Sequence, residues 1–161
     1  MEDKTLMREV QALIAIAAKH VRNSTEARAQ GGGITGLQYS VLQIIRGERQ
    51  TITEISRVAM VDPSTLVPAV DALERAGLAR RTKDPNDRRR TPVEITDAGR
   101  DLLARIPVLD ESDALVQGLS QMSAAGREQL RGLLRELVSH LTSEAAVNDL
   151  IQIVQAEMGE D

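Results

Sequence analysis

Apolar residues along this chain recur mostly at helical spacing. Leu6, Val10, Leu13, Ile14, Ala17 and Val21 fall three or four apart, which predicts an amphipathic helix over residues 4–29 or so. Gly31, Gly32 and Gly33 are its expected stop. Thr35-Gly36-Leu37-Gln38 has the form of a capping box, with Leu37, Val41, Ile44 and Ile45 on one face of the helix it opens and Gly47 at its end. A short helix carrying Ile55, Val58 and Ala59 is expected next, with Thr53 as its cap. Asp62-Pro63 places a capping residue before a proline at the first helical position. Leu66, Val70 and Leu73 are the buried stripe of that helix, and Gly77 its stop.

The period then changes. Leu78–Thr82 and Thr91–Ile95 read as two short strands around a polar turn, Lys83-Asp84-Pro85-Asn86-Asp87-Arg88-Arg89-Arg90. Thr96 is positioned to cap a helix through Leu102, Leu103 and Ile106, which Pro107 should interrupt. The acidic run Asp110-Glu111-Ser112-Asp113 reads as a solvated turn. Leu130, Leu133, Leu134, Leu137, Val138 and Leu141 predict a strongly amphipathic helix, and Val147, Leu150, Ile151 and Val154 an extension or a tail helix. The expected fold class is mainly α with a small β-hairpin wing: a winged helix-turn-helix over 35–96, flanked by dimerisation helices over 1–34 and 97–161. The flanking stripes are too long for so small a module to cover, so a homodimer about a twofold axis is expected over a monomeric bundle.

Composition agrees with helices. The chain has 161 residues, is 42% hydrophobic, and has Tyr39 as its lone aromatic, so its core must be aliphatic. It has no cysteine, which excludes disulfides, thiolate metal sites and cysteine redox sensing. No apolar run reaches the ~20 residues of a membrane span, and the N-terminus lacks a secretory pattern, so a cytoplasmic protein is expected. The formal net charge is −4, which taken alone disfavours nucleic acid. Its distribution is uneven: Arg80, Arg81, Lys83, Arg88, Arg89 and Arg90 against Asp84 and Asp87 give the hairpin net +4.

These features point to DNA. The major groove admits one α-helix. A helix with Leu66, Val70 and Leu73 inward offers Ser64 and Thr65 to phosphates or base edges, and Val67 and the Pro68 ring to apolar contacts such as a thymine methyl. Pro68 removes the hydrogen bond to the Ser64 carbonyl, so a kink or local strain is expected there. Arginines at a hairpin tip suit the negative potential of a narrow minor groove, and Asp87 is expected to pair with one of them and shape the loop.

The run DPSTLVPAVDALERAGLARRTKDPNDRRRTPVEITDAG resembles the MarR family of bacterial transcriptional regulators. The close resemblance covers about a third of the chain. It implies that the helix matching Pro63–Ala76 reads the major groove. It also implies that the tip matching Asp87–Arg90 enters the minor groove, with Asp87 and Arg89 at the positions of the family's aspartate and arginine. With it come a homodimer, a pseudo-palindromic double-stranded operator, and a repressor loosened by a small effector between the dimer helices and the reading module. The candidate DNA-binding residues are Thr53, Ser64, Thr65, Val67, Pro68, Asp87, Arg88, Arg89 and Arg90.

Two departures matter. Many members carry a polar or basic pair where this chain has Val67 and Pro68, so base readout should be thinner and DNA shape more important. Peroxide sensing through cysteine is excluded. An effector pocket here would be aliphatic.

Other signals carry less. Gly31-Gly32-Gly33-Ile34-Thr35-Gly36 matches G-x-G-x-x-G but follows a helix, where a dinucleotide site needs a strand. His20 and His140 are isolated on long helices, and no metal, cofactor or catalytic activity is expected from them. The alternative reading is a winged helix used for protein interaction without DNA, supported by the acidic total charge and by Val67–Pro68.

Overall fold

A computed structural model describes residues 2–84, 87, 89–143, 147–148 and 151–152. Of the expected features, Pro85, Asn86, Arg88, Leu150 and Val154 lie outside the described residues. The described elements are α1 (Glu2–Gly31), α2 (Gly36–Ile44), α3 (Ile52–Ala59), α4 (Pro63–Arg75), β1 (Ala79–Arg81), β2 (Val93–Ile95), α5 (Asp97–Arg105), α6 (Ala114–Gln121) and α7 (Ala124–Leu141). β1 and β2 pair antiparallel, Ala79 opposite Ile95 and Arg81 opposite Val93. Gln50 adds a single bridge to Val93, so the stretch before α3 serves as a minimal third strand.

Local chemistry sets the boundaries. The capping box before α2 forms as expected: Gln38 N–H donates to Thr35 Oγ1, and Thr35 N–H donates to Gln38 Oε1 at 2.8 Å. The cap of α3 is Thr51, not Thr53. Thr51 stands three residues before Glu54 and completes a second box with it, which places Thr53 inside the helix. Asp62 occupies the N-cap position of α4, but its side chain makes no capping bond there. α4 runs as one continuous helix through Pro68, without the break that a mid-helix proline invites.

Gly77 leaves α4 with φ +72, a conformation that glycine adopts without steric cost. Met60 makes the turn between α3 and α4 with φ 53, left-handed for a side-chain-bearing residue. The turn is braced by Ser56: its hydroxyl donates to the Val61 carbonyl at 2.6 Å, and its carbonyl accepts the Val61 N–H at 3.2 Å. Thr96 caps α5, accepting the Gly99 N–H. Ile106 is extended ahead of Pro107, which ends α5 as expected. The acidic run beyond it forms two turns: Asp110 accepts from Ser112, and Asp113 caps α6 by accepting the Leu115 N–H at 2.7 Å. α6 lies outside the elements expected from the sequence; Leu115, Val116 and Leu119 share its half-buried face, and it has no fully buried residue.

The core is aliphatic and lies in the middle of the chain. Leu42, Ile45, Ile55, Leu66, Leu73, Val41, Val70 and Val93 are its largest fully buried side chains. Tyr39 is buried with them, its hydroxyl accepting from Gln43 Nε2 at 2.7 Å. α1 reaches this core only through Ala29 near its C-terminal end, and α7 contributes no buried residue. Leu6, Met7, Val10, Leu13, Ile14, Ile16 and Val21 of α1 are exposed, as are Leu133, Leu134 and Leu141 of α7. Arg28 ties α1 to the segment after α5: it donates to the Pro107 carbonyl at 3.3 Å and to the Val108 carbonyl, and its guanidinium sits 5.8 Å over the Tyr39 ring.

Gly99 lets α5 close onto the sheet. A methyl group there would collide with the Leu78 carbonyl and press on Ile95. Gly99→Ala should therefore destabilise the fold by about 1–3 kcal/mol, as overpacking does. A denaturant midpoint equal to that of the unsubstituted protein would show that the helix shifts to make room.

Candidate nucleic-acid interface

The candidate surface begins with α4. Leu66, Val70 and Leu73 have no solvent exposure. Ser64, Thr65, Val67 and Pro68, the sequence candidates, are all exposed on the same helix, as are Asp71 and Arg75. The sidedness follows from the 3.6-residue period: three core contacts leave the remaining positions facing water. Thr53 is exposed on α3, two residues past the cap. The structure thus brings Thr53, Ser64, Thr65, Val67 and Pro68 to the surface of one module.

The hairpin is shaped by its own aspartate. The Asp87 carboxylate accepts the Arg89 backbone N–H at 3.0 Å, and the Asp87 carbonyl accepts the Arg90 N–H at 2.9 Å. The Arg89 guanidinium lies 3.7 Å from that carboxylate with its side chain 95% exposed. The expected pairing of Asp87 with an arginine is therefore present, and Arg89 projects into solvent. Arg88 lies outside the described residues.

The charge of the hairpin differs from the sequence count. Arg80 pairs with Glu94 across the two strands. Arg81 pairs with Asp71 at 2.8 Å and with Glu74, both on α4. Arg90 Nη2 lies 2.7 Å from Glu54 Oε1 on α3. Three arginines that appear as free positive charge in the sequence are thus matched by carboxylates of the same module. Sequence reasoning missed Glu54, Asp71, Glu74 and Glu94. Only Glu54 had a local signal, because Thr51-Ile52-Thr53-Glu54 is itself a capping box.

Two of these pairs carry resolved pKa shifts. The Thr51 backbone N–H holds the Glu54 carboxyl below its ordinary value, opposed by burial and helped by the Thr51 hydroxyl and the Arg90 guanidinium. Burial works against the charged Arg81 guanidinium, but Asp71 and Glu74 outweigh it and raise its pKa.

Several concavities lie beside the module among the described residues. One of about 340 Å³ lies between the end of α1 and the end of α5, lined by Arg28, Gly31, Gly32, Leu102, Arg105, Ile106 and Pro107. Leu102, Ile106 and Pro107 give it an apolar side, and two arginines join them. Another, about 460 Å³, is polar and lies by the start of α5, with Arg49, Arg80, Glu94 and Arg100 among its walls. His20 and His140 are both exposed. Among the described residues no group of three or more His, Asp or Glu side chains could hold a metal, and no helix is long and apolar enough to cross a membrane.

Arg81 joins β1 to α4 through backbone as well as side chain, since its N–H donates to Glu74 Oε1 at 2.7 Å. Arg81→Ala should lower stability by about 1–2 kcal/mol, as loss of a half-buried charged hydrogen bond does. An unchanged unfolding midpoint would show that the backbone bond alone holds the strand.

Comparison with known proteins adds a context. The sequence profile of the MarR family matches residues 34–91. The transcriptional regulator HosA of Escherichia coli O111:H- is 30% identical over 109 residues, covering 66% of this chain and 78% of HosA. The putative transcriptional regulatory protein for the hcr operon of Thauera aromatica is 37% identical over 109 residues, covering 65% of this chain and 63% of that protein. The chain spans between 54% and 63% of the length of three of the regulators it matches. Among solved structures, a mutant MarR from E. coli complexed with operator DNA superimposes with a TM-score of 0.70 at 25% identity, covering 80% of this chain and 93% of that one.

Proposed function

Because the chain belongs to the MarR family, we propose that it is a homodimeric, sequence-specific regulator of transcription that binds double-stranded DNA and acts as a repressor. The observation that carries this reading is the two-sided α4. It buries Leu66, Val70 and Leu73 and leaves Ser64, Thr65, Val67 and Pro68 to solvent, on a module whose hairpin tip projects Arg89. Residues 35–96 are the reading module. α4 enters the major groove, and the Asp87–Arg90 tip, Arg88 included, enters the minor groove. Thr53 meets the phosphate backbone. The protein has no catalytic role and works in the cytoplasm, where its DNA is.

Residues 1–34 and 97–161 form the dimer. The exposed apolar side chains of α1 and α7 support this, because a second copy is the partner that would cover them. Twofold symmetry calls for a pseudo-palindromic operator with half-sites about 10 base pairs apart. The cavity of about 340 Å³ at the junction of α1 and α5 is the seat for a small effector. It adjoins both the dimer arm and the reading module.

The matched charges favour a second reading, a winged helix that binds protein instead of DNA. Titration of the protein against the DNA upstream of its own gene and against random DNA, over a salt series, separates the two. Tight binding to a specific site with a steep salt slope is expected. No binding to any DNA at low salt would leave the protein-interaction reading. Arg89→Ala should weaken binding to all sequences and flatten the salt slope by about 0.9, the loss of one phosphate contact. Ser64→Ala and Thr65→Ala should shift preference among operator variants more than affinity for random DNA, and an unaltered preference would remove α4 from base reading. Ile16→Glu should halve the mass found by sedimentation; a variant that stays dimeric would move the interface elsewhere.

A further inference from the structure

We propose that Glu54 is a built-in competitor of DNA phosphate, which holds Arg90 and so limits the affinity of the protein for DNA of any sequence. The inference rests on the DNA-binding reading above and deepens it: it names a residue that sets the strength of binding and is not itself a DNA contact.

The geometry of one carboxylate carries it. Glu54 Oε2 accepts the Thr51 backbone N–H at 2.7 Å and the Thr51 hydroxyl at 2.9 Å, closing the N-terminus of α3. Its other oxygen, Oε1, accepts from Arg90 Nη2 at 2.7 Å. The cap therefore fixes the carboxylate before any ligand arrives, and Arg90 meets an acceptor already oriented for it. Such a carboxylate holds its arginine better than a freely rotating surface glutamate would, because the entropic cost of orienting it is already met by the cap. The Arg90 side chain remains 49% exposed, so a phosphate has access to it. That phosphate, however, meets a pair of zero net charge whose negative end it cannot displace without opening the cap.

The same logic repeats around the hairpin. Glu94 matches Arg80, and Asp71 and Glu74 match Arg81, so Arg90 is one of three compensated arginines beside the projecting Arg89. Glu54 differs from the other carboxylates because it is also fixed by the cap at Thr51 and holds an arginine beside the wing tip from 36 residues away.

The test uses the full chain and a short duplex of random sequence, with affinities measured by fluorescence anisotropy over a salt series. Four proteins are compared: the unsubstituted chain, Glu54→Gln, Arg90→Gln and the double variant. Glutamine keeps the capping oxygen for Thr51 while removing the charge, and a thermal melt verifies that α3 is retained. Glu54→Gln should bind about two- to fivefold more tightly at low salt, the range of an exposed ion pair. Its salt slope should steepen by about 0.9, because one more arginine becomes available to phosphate. Arg90→Gln should cost less affinity in the unsubstituted chain than in the Glu54→Gln background, where it should abolish the gain. Equal or weaker binding by a folded Glu54→Gln overturns the inference, as does an Arg90→Gln loss of the same size in both backgrounds. If none of the four binds any DNA at low salt, the DNA-binding reading falls and this inference falls with it.

Discussion

Three side chains on one helix, Leu66, Val70 and Leu73, decide what the rest of this molecule can present. All three are fully buried, and α4 packs through them against α2, α3 and β1. A helix anchored at these positions has no freedom to rotate about its axis, since a turn of one residue would bring polar side chains into an aliphatic core. The outward set is therefore a geometric remainder. Ser64, Thr65, Val67, Pro68, Asp71 and Arg75 face water because the others cannot. Gly99 and Gly77 serve the same end, one letting α5 press against the sheet and the other turning the chain out of α4 into the hairpin.

Electrostatics is arranged in opposition to this apolar frame. An acidic chain carries its densest positive charge in a hairpin, and then matches much of that charge with carboxylates from the elements behind it. The pairs at Arg81 and Arg90 are also structural ties, joining the hairpin to α4 and to α3. Charge that would serve attraction is spent on rigidity. The wing is held in a defined position relative to α3 and α4, and long-range pull on a polyanion falls mostly to what projects beyond those ties, Arg89 among it.

Much of the fold was legible in the sequence because it is written in local signals. The boxes at Thr35–Gln38 and the Asp62-Pro63 start, the Gly77 exit, the Thr96 cap and the Pro107 stop each involve residues within four positions of one another. The cap of α3 was misplaced because Thr51 and Thr53 have the same chemistry, and only the spacing to Glu54 separates them. The apolar face of α6, Leu115, Val116 and Leu119, is too short to stand out along the chain. The apolar candidates on α4 were readable from periodicity. The ion pairs of the hairpin were not, since Arg90 and Glu54 lie 36 residues apart and no local rule connects them. The passage of α4 through Pro68 was legible too, since Leu66, Val70 and Leu73 keep the helical period on both sides of it.

The core of the module and the first helix stand in different relations to their surroundings. From α2 to α5 most of the apolar side chains find partners within the same chain, Met60 and Val67 excepted. Along α1, Leu6, Leu13 and Ile16 are more than half exposed. Isolated helices are marginal in water unless packing supports them. In the proposed dimer the order of this arm is therefore subject to mass action, as the order of the module is not. For such a dimer dilution becomes a structural variable: the same polypeptide, at two concentrations, would differ in helix content along α1 before it differed anywhere in the module.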